Sequence, residues 1–327
     1  MTANEFNNQL EDEKWLQKAF HDNKETLWPR EAGEFVAKHT KVIKLNEKKV
    51  DEVAEMVYEE IKAGAFEKGE FNEHELHPKF DDPERMARWV LFIDSVNYCF
   101  WHGYNKGVEY NGKTYTGYYF GAACLKRALD DHGIDVTEPS YMIRMDTEKF
   151  EKLFRGKLPM GLSHLRARSI AEAGRVILEK YDGKVLNLLK AADNSAVKLV
   201  KILDNPKASS LVNFTDFGEL TMFADYRVPQ IMCHLGVLEY SKQFQDILKR
   251  FTPIRKGSRT EVAIRGMSIY ACDELTKKVK QLEEKLGKLH RPVTAADIDV
   301  FLWLKRREIP DQVEKTTPHH RVVTWFY

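Results

Sequence analysis

From Asn46 onward, apolar residues recur at Val50, Val53, Ala54, Val57 and Ile61, with Glu and Lys filling the positions between them. That spacing follows the period of about 3.6 residues expected of an amphipathic helix with one buried face. Arg85 to Phe100 reads the same way and is rich in Trp, Leu, Phe and Tyr. Further helices are predicted over 118–131, 147–154, 160–181 and 184–203, with Ile170, Ala173 and Ile177 on one stripe. Leu275, Val279, Leu282 and Leu286 keep helical spacing near the C-terminus. One segment breaks the pattern. In Tyr110-Asn111-Gly112-Lys113-Thr114-Tyr115, an Asn-Gly pair sits between β-favouring residues. Asn-Gly tolerates the positive φ that a tight hairpin turn demands, so one small β-hairpin is predicted. No alternating run recurs often enough to build a large sheet, and no internal repeat is visible. The pattern predicts a mostly α protein.

Residues 1–28 are polar and charged and read as an extension, either a flexible tail or a helix packed by Trp15, Leu16 and Phe20. Residues 29–327 read as a single helical domain. Residues 66–80 form a loop ending at His77-Pro78, and Asp204-Asn205-Pro206-Lys207-Ala208-Ser209-Ser210 is the best candidate for a subdomain hinge near 204–210.

Composition narrows the function. Fifty-one Lys and Arg face fifty Asp and Glu, a net charge of +1. Proteins that grip polynucleotide phosphates carry a basic excess, so stable nucleic-acid binding is not expected. A pocket for a single phosphate is compatible with this balance. Arg255, Lys256 and Arg259 around Gly257-Ser258, ahead of a helix starting near Thr260, form one candidate; a solvated basic turn is the plainer reading. Arg265 stands four residues after Glu261, a spacing that suits an ion pair. Cys99, Cys124, Cys233 and Cys272 are widely spaced in apolar stretches and read as buried thiols. Without a disulfide framework, an apolar leader or a membrane-length apolar run, a cytoplasmic protein is expected, with a nuclear location compatible. His74-Glu75-Leu76-His77 spaces its histidines three apart rather than four and is followed by proline, which argues against a metal site. No glycine-rich nucleotide loop suggests a cofactor.

Two aspartates offer chemistry. Thr221-Met222-Phe223-Ala224-Asp225-Tyr226-Arg227-Val228-Pro229-Gln230 gathers an aromatic ring, a carboxylate, a phenol and a guanidinium in five positions. A ring can stack on a nucleobase while a carboxylate accepts from its N–H edge. The plainer reading is a helix start carrying a surface Asp–Arg pair. In Thr294-Ala295-Ala296-Asp297-Ile298-Asp299-Val300-Phe301-Leu302-Trp303, Thr294 is a good N-cap and Asp297 its capping-box partner, with Val293 and Ile298 as a hydrophobic staple. That gives Asp297 a structural task. Asp299 is left over, on one helical face with Trp303. It is either a further acid stabilising the helix N-terminus or a group reserved for substrate.

These segments resemble the queuosine 5′-phosphate N-glycosylase/hydrolase family. Also similar are Pro29-Arg30-Glu31-Ala32-Gly33-Glu34-Phe35-Val36, the aromatic stretch Phe92 to Trp101, Gly112 to Tyr118, Gly257 to Arg265 and the closing His320-Arg321 to Trp325-Phe326-Tyr327. The resemblance implies a helical, DNA-glycosylase-like fold. It implies hydrolysis of the N-glycosidic bond of queuosine 5′-monophosphate, giving queuine and ribose 5-phosphate for salvage into tRNA. The partner would be this small nucleotide, acted on by a monomer without cofactor or metal. Asp299 would be the nucleophile or the stabiliser of an oxocarbenium-like sugar, Asp225 would hold the base edge and Phe223 would stack on it; the roles of the two acids are exchangeable. His74, Tyr226, Arg227, Val300, Trp303 and Leu304 would complete the substrate contacts. One departure stands out. Leu304-Lys305-Arg306-Arg307 follows Trp303 where the family often has an acid, which leaves a contact to the queuine side chain missing or replaced. Two other functions fit such a sequence: a DNA base-excision glycosylase, disfavoured by the charge balance, and a queuine-binding protein without catalysis.

Overall fold

The computed structural model describes residues 27–64, 74–102, 107–133, 135–193, 195–204, 216–290 and 292–327. The chain divides into two compact units. One combines residues 1–68 with 218–323 and Tyr327; the other comprises 69–217 and 324–326. Residues 1–26 of the expected extension and 205–210 of the expected hinge lie outside the described residues.

The first unit opens with α1 (Pro29–His39), β1 (Ile43–Leu45) and α2 (Glu47–Lys62). Asn46 caps α2 by accepting the Lys49 N–H at 3.2 Å. The expected stripe, Val50, Val53, Ala54, Val57 and Ile61, is buried.

The second unit starts with α3 (Pro83–Asp94), capped by Asp82. This helix ends earlier than the apolar pattern suggested, in a turn containing Cys99 at positive φ. The predicted hairpin follows as β2 (Val108–Tyr110) and β3 (Lys113–Tyr115), with Tyr110 opposite Lys113. Asn111 and Gly112 have φ of 48° and 74°, the left-handed values that pair was read to supply. Then come α4 (Tyr118–His132), α5 (Pro139–Met142), α6 (Thr147–Leu153) and α7 (Ser163–Lys180). The fully buried Arg166 of α7 donates to the carbonyls of Gly161, Val96, Tyr98 and Cys99, which places its guanidinium among backbone acceptors. The helix expected over 184–203 is two, α8 (Val185–Lys190) and α9 (Ala196–Asp204). Asp193 has a φ of 49°, and the Ser195 hydroxyl accepts the Lys198 N–H, so the chain stops and re-caps within a few residues.

The chain returns to the first unit through α10 (Val228–His234), β4 (Leu238–Tyr240), α11 (Lys242–Lys249), α12 (Arg259–Leu286), α13 (Ala295–Glu308) and α14 (Pro310–Thr316). The 28 residues of α12 span about 42 Å and form the spine of this unit. Val36 and Gly33 of α1 meet Gly266 of α12 so closely that a Cβ on Gly266 would lie 2.6 Å from the Val36 side chain. Leu275 and Val279 are buried as the stripe predicted, but Leu286 is exposed because the last turn runs beyond the core. An additional sheet pairs β1 with β4 antiparallel, setting Lys44 opposite Glu239. Three-residue strands are too short to show an alternating pattern, so nothing local announced them. The architecture is mostly helical with a small antiparallel hairpin. Among the described residues, no helix is long and apolar enough to cross a membrane.

Candidate active site

The signature segment runs without regular structure from Thr221 to Asp225, tightened by the Asp225 N–H donating to the Phe223 carbonyl at 2.7 Å, and then enters α10. Three neighbours fix it. Arg30 of α1 donates to the Leu220 carbonyl at 2.9 Å and pairs with Asp273 of α12 at 3.5 Å. Thr221 Oγ1 donates to the same Asp273 at 3.2 Å. Arg265 Nε of α12 donates to the Ala224 carbonyl at 3.0 Å. The expected Glu261–Arg265 pair is therefore not formed. Arg265 turns to the signature loop and lies over the Tyr327 ring, while Glu261 accepts from the Tyr327 hydroxyl and the Gly257 N–H. Tertiary partners outcompete the local i,i+4 geometry here.

The two aspartates meet in this unit. Asp299, one turn into α13 and 5% exposed, accepts the Phe223 N–H through Oδ2 at 3.0 Å. Asp225 accepts the N–H groups of Arg227 and Val228 through Oδ1, at 2.9 and 2.8 Å. Each carboxylate is thus oriented by backbone through one oxygen. The other oxygen of each has no partner among the described residues. Burial raises Asp299 to about 8, and the charge of Asp225 adds to the rise; the Phe223 N–H only partly opposes it. Burial also raises Asp225, to about 6, against the lowering effect of its two N–H donors and of Arg227 and Arg306. Two acids close enough to couple do not both ionise easily, so one carries a proton near neutral pH.

Phe223 is 74% exposed beside these acids, a large apolar ring held out to solvent by a loop whose backbone is fixed. Val300 is 37% exposed on α13; Trp303 and Leu304 of the same helix are half-buried, and Arg307 lies over the Trp303 ring at 5.1 Å. Thr294 and Asp297 form the predicted capping box: the Thr294 N–H donates to Asp297 at 2.8 Å. Tyr226 is buried, with His319 5.1 Å and the Arg227 guanidinium 5.0 Å from its ring. Arg227 points inward, its Nη1 within 3.1 to 3.2 Å of Gln230, Glu314 and His319.

Sequence reasoning missed Glu314. It gathers Arg227, Gln230, Arg306 and His319 within 3.3 Å, and Arg321 at 3.9 Å. Burial would raise its carboxyl, but hydrogen bonds from His319 and Gln230 and the charges of His319 and Arg227 outweigh that and hold it far below the usual range. Burial, joined by the charges of Arg227 and Arg321, holds His319 down to about 4, so its imidazole is neutral. Nothing near Glu314 in the sequence marked it, because its partners lie on α10, on α13 and after α14.

His74 belongs to the second unit, where its ring stacks on Tyr119 at 4.0 Å and its Nδ1 accepts the Leu76 N–H. Among the described residues, no group of three or more His, Cys, Asp or Glu is placed to hold a metal ion. The candidate phosphate turn before α12 is already satisfied internally: Gly257 N–H donates to Glu261 at 2.5 Å, and Ser258 caps the helix.

The sequence model described as queuosine salvage protein matches residues 76–208 and 205–327. A Sphaerobacter thermophilus protein named queuosine 5′-phosphate N-glycosylase/hydrolase is 34% identical over 285 residues, covering 77% of this chain and 84% of its own length. A Mus musculus protein of the same name is 31% identical over 338 residues, 92% of this chain and 99% of its own. One from Schizosaccharomyces pombe is 30% identical over 320 residues, covering 83% of this chain and 89% of its own. With the match extending from the second unit through both aspartates to the final residue, the chain belongs to the queuosine salvage protein family.

Proposed function

We propose that this chain hydrolyses the N-glycosidic bond of queuosine 5′-monophosphate, releasing queuine and ribose 5-phosphate. The observation that carries the chemistry is the acid pair: two coupled carboxylates, each fixed by backbone N–H groups through one oxygen, beside an exposed aromatic ring. Phe223 stacks on the base. Asp225 accepts from its N–H edge, and the cationic side chain of queuine is attracted to the same acidic surroundings. Asp299 faces the sugar.

In the reaction the C1′–N bond breaks and its electron pair leaves with queuine, which takes up a proton. The oxygen of a water bonds to C1′ and that water loses a proton. A 7-deazaguanine lacks N7, the usual position for protonating a departing purine, so stabilising positive charge at C1′ carries more of the barrier. A buried carboxylate gains most from such a charge, because few waters compete for it. Asp299 is protonated in the resting site near neutral pH and ionises as the cationic substrate and the developing oxocarbenium favour its anion.

The partner is a small nucleotide, and we read the protein as a monomer that does not hold polynucleotides. The net charge of +1 supports this, and a duplex-binding assay at low and moderate salt tests it. The four cysteines, none of them in a disulfide, support a reducing compartment, which we take to be the cytoplasm. The activity is tested by incubating pure protein with queuosine 5′-monophosphate and following queuine by mass spectrometry. Release by the wild type, falling on the order of 10²–10³-fold in Asp299→Asn, is expected. Wild type that releases no queuine, or undiminished release by the variant, overturns the reading.

A further inference from the structure

Glu314 connects both halves of the acid pair although it contacts neither acid. It accepts from Arg227 Nη1 at 3.2 Å and Gln230 Nε2 at 2.8 Å, on the turn and helix that follow Asp225. It accepts from Arg306 Nη2 at 3.2 Å, on the helix that carries Asp299 seven residues earlier. Arg306 Nε also donates to Gln230 Oε1 at 3.2 Å, which closes the ring between α10 and α13. Seven residues are about two turns, so Arg306 and Asp299 share one face of α13. A single carboxylate therefore sets the spacing between the loop that grips Asp225 and the helix that carries Asp299.

We propose that Glu314 is a positioning residue for the hydrolytic site: it locks the two acid-bearing elements together and offsets the cations that face Asp225. This inference rests on the assignment of Asp225 and Asp299 to the reaction. The charged groups facing Asp225 are Arg227 on its own turn, Arg306 from α13, and Asp299 itself. Those facing Glu314 are Arg227, Arg306 and Arg321, with neutral His319. Removing the Glu314 charge leaves the guanidinium groups unopposed, which favours the Asp225 anion. Asp299 titrates where Asp225 is already an anion, so it moves less. The two acids titrate further apart.

The test is the pH dependence of kcat/KM for queuine release by wild type, Glu314→Gln and Glu314→Asp, with folding checked by circular dichroism. In parallel, the two carboxyl groups are titrated by NMR in protein labelled with 13C at aspartate. For Glu314→Gln, the Asp225 titration is expected to fall by about one unit, a tenfold change in ionisation constant, with that of Asp299 moving less. Activity at pH 7 falls on the order of tenfold, because α10 and α13 lose the carboxylate that holds them in register. Glu314→Asp, which keeps the charge, restores most of the wild-type profile. Titrations that do not move in folded Glu314→Gln overturn the proposal and leave Glu314 a structural residue only. Should Glu314→Gln not fold, Arg306→Gln removes one cation instead, and the Asp225 titration is expected to rise; an unchanged value there overturns the proposal equally. An inactive wild type would reject the assigned reaction, whereas an active wild type with unmoved variant titrations rejects only the role of Glu314.

Discussion

The backbone N–H of Phe223 donates to Oδ2 of Asp299 at 3.0 Å, across 76 positions of sequence. One hydrogen bond thus fixes both the ring that is offered to a base and the carboxylate that is offered to a sugar. The loop cannot shift without turning Asp299, and α13 cannot shift without moving Phe223. A site that must hold a base and its C1′ in register gains from this direct linkage, because small displacements of reacting groups are costly in rate.

Asp299 makes the protein less stable than it would otherwise be. Its ordinary value is 3.8, and the fold raises it to about 8. The unfolded chain loses this proton near pH 4 while the native state keeps it until about pH 8, so the native state binds more protons between those values. Stability from this group therefore falls as pH rises through that window and levels off above it. Asp299→Asn, whose amide oxygen still accepts from Phe223, is expected to be more stable than wild type at pH 8 by on the order of a few kcal/mol. The gain should vanish below pH 4. Urea denaturation at the two pH values measures it, and equal stability at both would show that Asp299 ionises normally.

Activity should rise with pH in two steps. Asp225 is held up to about 6 and Asp299 to about 8, and both are needed as anions in the transition state. For the free enzyme, kcat/KM should climb through pH 6 and flatten above about pH 8, reporting the pair rather than either residue. The limb of kcat should lie lower, since a bound cationic substrate favours the ionised acids. A profile that declines through pH 8 would instead make Asp299 a proton donor to the leaving base.

Phe223 contributes little to the fold, being 74% exposed, so its replacement separates binding from stability. Phe223→Ala is expected to leave the denaturation midpoint nearly unchanged. Loss of stacking should weaken queuine binding by about 1–3 kcal/mol, on the order of ten- to a hundredfold in Kd by calorimetry. Phe223→Trp should retain most of the affinity. Unaltered binding by the alanine variant would remove Phe223 from the site.

The approach of α1 to α12 depends on having no side chain at Gly266, where a Cβ would meet Val36 Cγ2 at 2.6 Å and Val36 Cβ at 2.7 Å. Both helices reach the site, through Arg30 and Arg265. Gly266→Ala should therefore destabilise the protein by about 1–3 kcal/mol through overpacking, outweighing the gain in helix propensity. Chemical denaturation reads the loss, and a stabilised variant would show that the helices part freely.

The sequence by itself determined the local devices. Asn111-Gly112 specified its hairpin, Thr294 specified a helix start, and the apolar stripe of α2 specified its buried face. These follow from backbone sterics, capping and periodicity, which act over a few neighbouring residues. The sequence also offered Asp225 and Asp299 as candidates, but left each with a plain structural reading, and it was the family resemblance that gave them a role in the reaction. The tertiary structure alone decided what those acids touch. The grip of Phe223 on Asp299, the turning of Arg265 toward Ala224 rather than Glu261, the pairing of β1 with β4 and the gathering of five partners around Glu314 all join residues far apart in the chain. Burial then raised the two carboxyl groups, and burial is a property of the packed whole: no stretch of local sequence states how much water a side chain will lose.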